Sequence, residues 1–248
     1  MTYEDHFSGV ASEYGRFRPR YPESLFRYLA TLAGKGARVW EVGAGSGQAT
    51  AGLLRTFDHV IATDASFAQL AQIVVPTARR LVCLAEVAPF RAASMDLIVA
   101  AQALHWLEPD GFFREVARVA RRGAALTAWT YGLPEIDQRL DALLRRFAHE
   151  DIRDFWPSAR DHVEARYATI KVPFEEMAAP DFRIDARLDV DAFLGYVRTW
   201  SAVTRAGAAL DVDPMARFGA ECRALWGPAS LRGVSWPVTL RTFRVREG

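Results

Sequence analysis

The residues best suited to chemistry lie together in Val39-Trp40-Glu41-Val42-Gly43-Ala44-Gly45-Ser46-Gly47-Gln48. Glycines alternate at 43, 45 and 47, two positions behind an acid at 41. Such a turn can take positive φ and lets a ligand approach the backbone with no Cβ in the way. At the carboxyl end of the first strand of an open α/β sheet, a turn of this kind is where nucleotide-like ligands dock. Asp64 follows 21 residues after Gly43. Its carboxylate can accept hydrogen bonds from both hydroxyls of a ribose, or it can cap a helix near Ser66, a task Ser66 can also perform. Two further segments, Leu84-Ala85-Glu86-Val87-Ala88-Pro89-Phe90 and Ala100-Ala101-Gln102-Ala103-Leu104-His105-Trp106, set polar groups among small residues. The small residues make room, and the polar ones can read a base edge or an amino-acid head.

The glycine spacing argues against a nicotinamide site. That fingerprint is G-x-G-x-x-G, whereas here Gln48 stands where the third glycine belongs. No Lys or Arg lies in the turn or in the first helical turn behind it to cradle a phosphate. Glu41 repels a pyrophosphate and tolerates a cationic ligand.

These residues need strands and helices to bring them to one edge. Helical spacing predicts helices over 22–33, 48–57, 67–74, 109–120, 135–149, 190–202 and 214–226. Apolar runs and alternation predict strands over 37–42, 59–63, 80–85, 95–101, 124–130, 182–188 and 234–245. Strand, helix, strand in alternation requires crossover connections, hence parallel pairing and a doubly wound α/β sheet with helices on both faces.

The 248 residues, half hydrophobic and a quarter charged, suit one α/β domain with insertions. A net charge of +1 with no basic stripe gives no surface for nucleic acid. The two cysteines, Cys83 and Cys222, read as inert thiols, and the five dispersed histidines show no metal-ligand spacing. The polar, acidic start Met1-Thr2-Tyr3-Glu4-Asp5-His6 is no signal peptide, and no apolar run reaches bilayer length. The expectation is a cytoplasmic protein, with a monomer favoured, no membrane association and no metal.

Taken in order over residues 7 to 201, the motifs resemble the class I S-adenosylmethionine-dependent methyltransferases. They are Tyr14 with Arg18-Pro19-Arg20-Tyr21-Pro22, Glu41 to Thr50, Thr63-Asp64-Ala65-Ser66, Ala85 to Phe90, Ala101 to Trp106, and Tyr196-Val197-Arg198-Thr199-Trp200-Ser201. The similarity is to the branch that contains trans-aconitate methyltransferase and related small-molecule enzymes. It implies a Rossmann-like, mostly parallel seven-stranded sheet in a single domain with a substrate lid. Residues 1–34 would form an N-terminal arm and helix, 35–131 the cofactor core, 132–232 the lid with a later strand, and 233–248 the terminal strand.

The resemblance also implies a cofactor, S-adenosylmethionine, and a set of residues for it. Gly43, Ala44 and Gly45 would pass under its methionine moiety, with Glu41 and Gln48 beside them. Glu41 stands where many relatives carry Asp, which alters its reach slightly. Asp64 would hold the ribose and Ala65 border the adenine, which Ala85 and Glu86 would read. Ala101 and Gln102 would lie beside the sulfonium. Tyr14 and Arg18 would close over the carboxylate, for which a guanidinium fork is apt; Arg18 on the surface is the alternative.

Methyl transfer is an in-line displacement in which positioning supplies much of the acceleration. A carboxylate or neutral ring nitrogen needs no base, whereas a hydroxyl or protonated amine does. His105 is the catalytic candidate, as base or as orienting group; a bond to a local carbonyl is the structural alternative. Of the aromatics concentrated after the fourth strand, Trp129 reads as core. Trp106, Tyr131, Tyr196 and Trp200 read as the substrate pocket, within an aromatic group that also holds Trp156 and Tyr167 and of which most could be core. The partner expected is a small molecule, planar or heteroaromatic, methylated on O or N. One alternative is carboxyl O-methylation of a polycarboxylate, which needs converging cations from among Arg153, Arg160, Arg166, Arg198 and Arg205. Another is a cofactor-binding partner subunit without turnover.

Overall fold

Five strands pair in parallel in the spatial order β3-β2-β1-β4-β5: β1 (Arg38–Val42), β2 (His59–Asp64), β3 (Arg79–Val82), β4 (Met95–Ala101) and β5 (Ala120–Tyr131). The computed structural model describes residues 18–228 and 231–245. The central strands read as apolar runs because both their faces are covered. Val39, Leu97, Val99, Ala125 and Trp129 point into one core, while their neighbours Trp40, Ile98, Ala100, Leu126 and Ala128 point into the other. Alternate residues of one strand therefore serve two separate hydrophobic layers.

The far edge carries the insertion. β8 (Arg232–Arg244) lies antiparallel against β5, from Ala125 opposite Arg244 to Tyr131 opposite Val238. β6 (Glu175–Met177) and β7 (Phe182–Leu188) share the other side of β8. The eight strands thus fill seven sheet positions, the last occupied by two short pieces in line. This agrees with the expected mostly parallel sheet.

The early helices are α1 (Glu23–Ala33), α2 (Thr50–Thr56), α3 (Phe67–Ala71) and α4 (Pro109–Val119). α1 buries Leu25, Phe26 and Leu29, and the Phe26 ring occupies the space that a Cβ on Gly52 of α2 would need. α4 starts at a proline and is capped by the Glu108 carboxylate, which accepts from Asp110 N and Gly111 N. The later helices are α5 (Gln138–Arg146), α6 (Arg160–Glu164), α7 (Val190–Arg198), α8 (Ser201–Ala209) and α9 (Met215–Trp226).

Several elements differ from the sequence expectation. The helix expected from residue 135 starts at Gln138, because Asp137 caps it and Glu135 exchanges backbone hydrogen bonds with Ser235 instead. It ends in a π-turn over Phe147–Asp151. The helix expected over 190–202 is two helices. Thr199 Oγ1 donates to Tyr196 O at 2.6 Å, Trp200 is extended, and α8 begins at Ser201. The third strand stops at Val82, and Ala85–Val87 form a single 3-10 turn. No helix among the described residues is long and apolar enough to cross a membrane. Cys83 and Cys222 are free thiols.

Candidate functional site

The glycine turn behind β1 is held by its neighbours in the sheet. Gly43, Gly45 and Gly47 have φ of +62°, +56° and +91°. Ala44 N donates to Thr63 O at 2.9 Å, and Gly45 N donates to Asp64 Oδ2 at 2.8 Å, so the turn is hooked onto the end of β2. A Cβ on Gly43 would lie 2.6 Å from the Ala103 Cβ, so glycine is required there by packing as well as by φ. At Gly45 the nearest atom to such a Cβ is Gln69 Oε1, 3.8 Å away, and the backbone there borders open space. Asp64 Oδ1 accepts from Ser66 N, while Ser66 Oγ caps α3 by accepting from Gln69 N. Capping therefore falls to Ser66, and Asp64 ties the glycine turn to the segment after β2.

The carboxyl ends of the strands open on one cleft of about 740 Å³. Glu41, Gly43, Ala44, Gly45 and Gln48 line it from the first strand end, Asp64 and Ala65 from the second. Ala85 and Glu86 come from beyond the third, Ala101 and Gln102 from the fourth, and Arg18 from the chain before α1. Tyr14 lies outside the described residues. Tyr21 and Gln69, not singled out from sequence, line the same cleft.

The cleft is acidic. Glu41, Asp64, Glu86 and Glu108 face it against the guanidinium groups of Arg18 and Arg205. Glu41 is 1% exposed, and neither of its carboxyl oxygens has a hydrogen bond of good geometry. Burial pushes its pKa up to about 8; nearby Thr50 pulls it down in part, and the Asp64 charge adds to the rise. A buried acid held only by Thr50 is costly to ionise, and a positively charged partner would offset that cost. Those acceptor groups suit the ammonium and sulfonium of S-adenosylmethionine and oppose a pyrophosphate.

Beyond the fourth strand end lies a smaller cavity of about 60 Å³. Arg18, Gln102, His105, Trp106 and Tyr131 border both spaces. Trp156, Arg160, Tyr196 and Trp200 close the far side. The four expected substrate residues, Trp106, Tyr131, Tyr196 and Trp200, thus meet in one cavity. Trp200 is both buried and cavity-lining, with its ring edge-on to Tyr196 at 5.9 Å and 5.6 Å from Trp156. Trp129 is core, as expected.

The junction between the two spaces is rigidly built. Gln102 sits at φ +53°, a conformation that costs a non-glycine residue about 1–3 kcal/mol. Its side chain is fastened at both ends: Nε2 donates to Tyr131 O at 3.0 Å and Oε1 accepts from Thr130 Oγ1 at 2.6 Å. His105 lies in a 3-10 turn over Leu104–Trp106, and its Nδ1 is 2.8 Å from Tyr167 Oη. Burial, then the Arg160 and His162 charges, push His105 down to about 3, so the ring is neutral. Burial raises the Tyr167 phenol, which keeps its proton and also meets the Thr130 side chain. Tyr167 holds φ +62° in a tight turn after α6; its only sequence signal was membership of the aromatic cluster.

Of the candidate cations, Arg160 lines the aromatic cavity and Arg205 the cleft. Arg198 pairs with Asp213 at 3.0 Å, and Arg153 and Arg166 line neither space.

Comparison with known proteins gives a consistent picture. Residues 40–128 match a family model described as a methyltransferase domain. A Dictyostelium discoideum protein named as a methyltransferase is 31% identical over 205 residues, covering 80% of this chain and 78% of that protein. A Saccharomyces cerevisiae protein named for S-adenosylmethionine-dependent methyl transfer is 23% identical over 232 residues, covering 78% of this chain and 79% of that protein. The solved structure of a type II methyltransferase from Anaeromyxobacter dehalogenans is similar at a TM-score of 0.85 and 42% identity, over 94% of this chain and 100% of that one.

Proposed function

The chain belongs to the class I S-adenosylmethionine-dependent methyltransferases, and we propose that it methylates an O or N nucleophile on a small planar molecule that reaches from the aromatic cavity into its junction with the cleft. The observation that carries this reading is the shared wall: Gln102, His105 and Trp106 border both the cleft and the cavity. When bound, the cofactor supplies a methyl on a positively charged sulfur. Asp64 would accept from the ribose hydroxyls, Glu41 would face the cationic groups, and Arg18 would take the carboxylate. Ala85 and Glu86 would border the adenine together with Ala65. The segments between Tyr131 and β8, apart from β6 and β7, would serve as the lid and exclude water.

His105 is the group of this chain placed to hydrogen-bond the acceptor at the junction. In the tautomer whose Nδ1–H donates to Tyr167 Oη, Nε2 is left as an acceptor for an O–H or N–H. A ring held down to about 3 is a weak base, so its main contribution here is to orient the nucleophile. A second reading, carboxyl O-methylation of a polycarboxylate as in the trans-aconitate branch, is favoured by Arg18 and Arg160 on the same cavity.

Calorimetry with S-adenosylmethionine tests the first step: saturable binding, weakened about tenfold or more in Asp64→Ala, is expected. Absence of binding to the wild type would sink the proposal. Turnover on a panel of hydroxyarenes, aminoarenes and polycarboxylates, followed by mass gain of one methyl, separates the two acceptor classes. Cofactor binding without turnover on any of them would favour a non-catalytic partner subunit.

A further inference from the structure

The aromatic cavity has a charge pattern opposite to that of the cleft. Arg18 and Arg160 both line it, and among the described residues no carboxylate does. Arg160 lines this cavity alone, beyond the junction with the cleft. Its guanidinium lies 4.5 Å from the centroid of the Trp156 ring, which fixes its plane.

Arg160 is poorly compensated for a buried cation. The side chain is 16% exposed, whereas Glu164, its ion-pair partner, is 41% exposed and touches only Nε, at 3.4 Å. Glu164 is also shared with His149 at 3.6 Å. No oxygen among the described residues accepts from the two terminal nitrogens of Arg160. Burial is the largest influence on the group and disfavours its charge. Taking a guanidinium largely out of water without a matching acceptor is unfavourable, and an anion between the rings offsets that cost. A planar carboxylate matches the fork in geometry, and a cavity of about 60 Å³ admits the acid end of a molecule whose remainder reaches the junction with the cleft.

We propose that Arg160 anchors an acid group of the methyl acceptor, so that the acceptor is a planar carboxylate whose acid sits against Arg160, away from the atom methylated at the Gln102–His105 junction. This rests on the methyl-transfer reading only for naming the bound molecule an acceptor. It holds whether the methylated atom is a ring substituent or a second carboxylate, and it gives the lid a stated selectivity for acids over neutral analogues.

Calorimetry on the full chain saturated with S-adenosylhomocysteine tests the assignment, with benzoate, trans-cinnamate and fumarate each compared with its amide. For the wild type, at least one acid is expected to bind about tenfold or more tighter than its amide. In Arg160→Gln that preference is expected to fall to about one, and Arg160→Lys is expected to keep part of it through its charge. Unchanged S-adenosylhomocysteine affinity in both variants shows that the fold is intact. A wild type without acid preference, or an Arg160→Gln variant that keeps it, overturns the assignment. Failure of S-adenosylhomocysteine to bind the wild type sinks the methyl-transfer reading instead. The acid-to-amide ratio measured on the protein alone then decides the anchor by the same criterion.

Discussion

The cleft at the strand ends sets four acidic side chains against two guanidinium groups, while the cavity beyond Gln102 and His105 is walled by rings and two guanidinium groups with no acid among its lining. The cleft draws most of its lining from the strand ends of one sheet, with Arg18, residues 157–159 and Arg205 added from outside it. The cavity draws its lining from residues 18, 102–106, 131–133, 156–163 and 196–201. One is a property of a folding unit, the other of how distant units close together. Their different balance of charge also gives each a natural occupant, a ligand with cationic groups in the first and an anion in the second.

Substitutions can break this comparison if the two spaces turn out not to be separable. The largest effect is expected for Trp200→Ala, which empties a buried indole site packed on Phe147, Trp156 and Tyr196. Loss of about 3–5 kcal/mol in urea unfolding is expected, yet the folded variant should keep S-adenosylhomocysteine affinity within about threefold. A collapse of cofactor affinity would show that the lid and the cleft are one site. Gly43→Ala does the reverse. It combines a strained φ with a contact on Ala103, and should cost about 2–4 kcal/mol. Cofactor binding should fail well before the cavity is disturbed.

Glu41 sharpens the electrostatic half of the comparison. Its pKa is raised in the fold, from 4.5 to about 8, so folding favours its protonated form. That contribution is complete below the ordinary carboxylate range and is lost as the pH rises through about 8. The ligand-free melting temperature should therefore fall between pH 5 and pH 9, with a smaller fall in Glu41→Gln. A cationic ligand favours the ionised form, so S-adenosylmethionine binding at pH 7 should expel close to one proton. Titrations in buffers of different ionisation enthalpy would reveal it, and a wild type that releases none would remove Glu41 from the cation site.

The smallest effect is expected for Tyr167→Phe, which deletes the 2.8 Å bond to His105 and leaves the ring packing. A turnover loss of about five- to tenfold with unchanged cofactor affinity corresponds to one neutral hydrogen bond. An unchanged turnover would mean that His105 needs no positioning.

Much of the cleft was legible in the sequence. Residues 41–48 and Asp64 could be read because a turn between a strand and a helix is a local object, set by glycine φ and by the alternation on either side. Even the division of labour between Asp64 and Ser66 was among the alternatives. The aromatics could be recognised as a group, and Trp106, Tyr131, Tyr196 and Trp200 do meet. The five arginines could not be ranked, because a long side chain carries no periodic signal of where it points. Tyr167 was equally silent, since its role depends on a turn at φ +52° and +62° over Arg166 and Tyr167.

The alternation of strands and helices as far as Tyr131, the backbone cradle and its acid were thus determined by the sequence alone, since periods of two and 3.6 residues and a glycine turn act over a few positions. Only the tertiary structure decided that one helix breaks at Thr199 and Trp200, and that Arg160 and Arg18 share a cavity that no described acid lines. Those outcomes depend on packing between segments more than 100 residues apart (Arg18 is bonded to Thr199 O across 181 positions). Contacts of that reach are settled by which buried surfaces fit, and no local pattern encodes them.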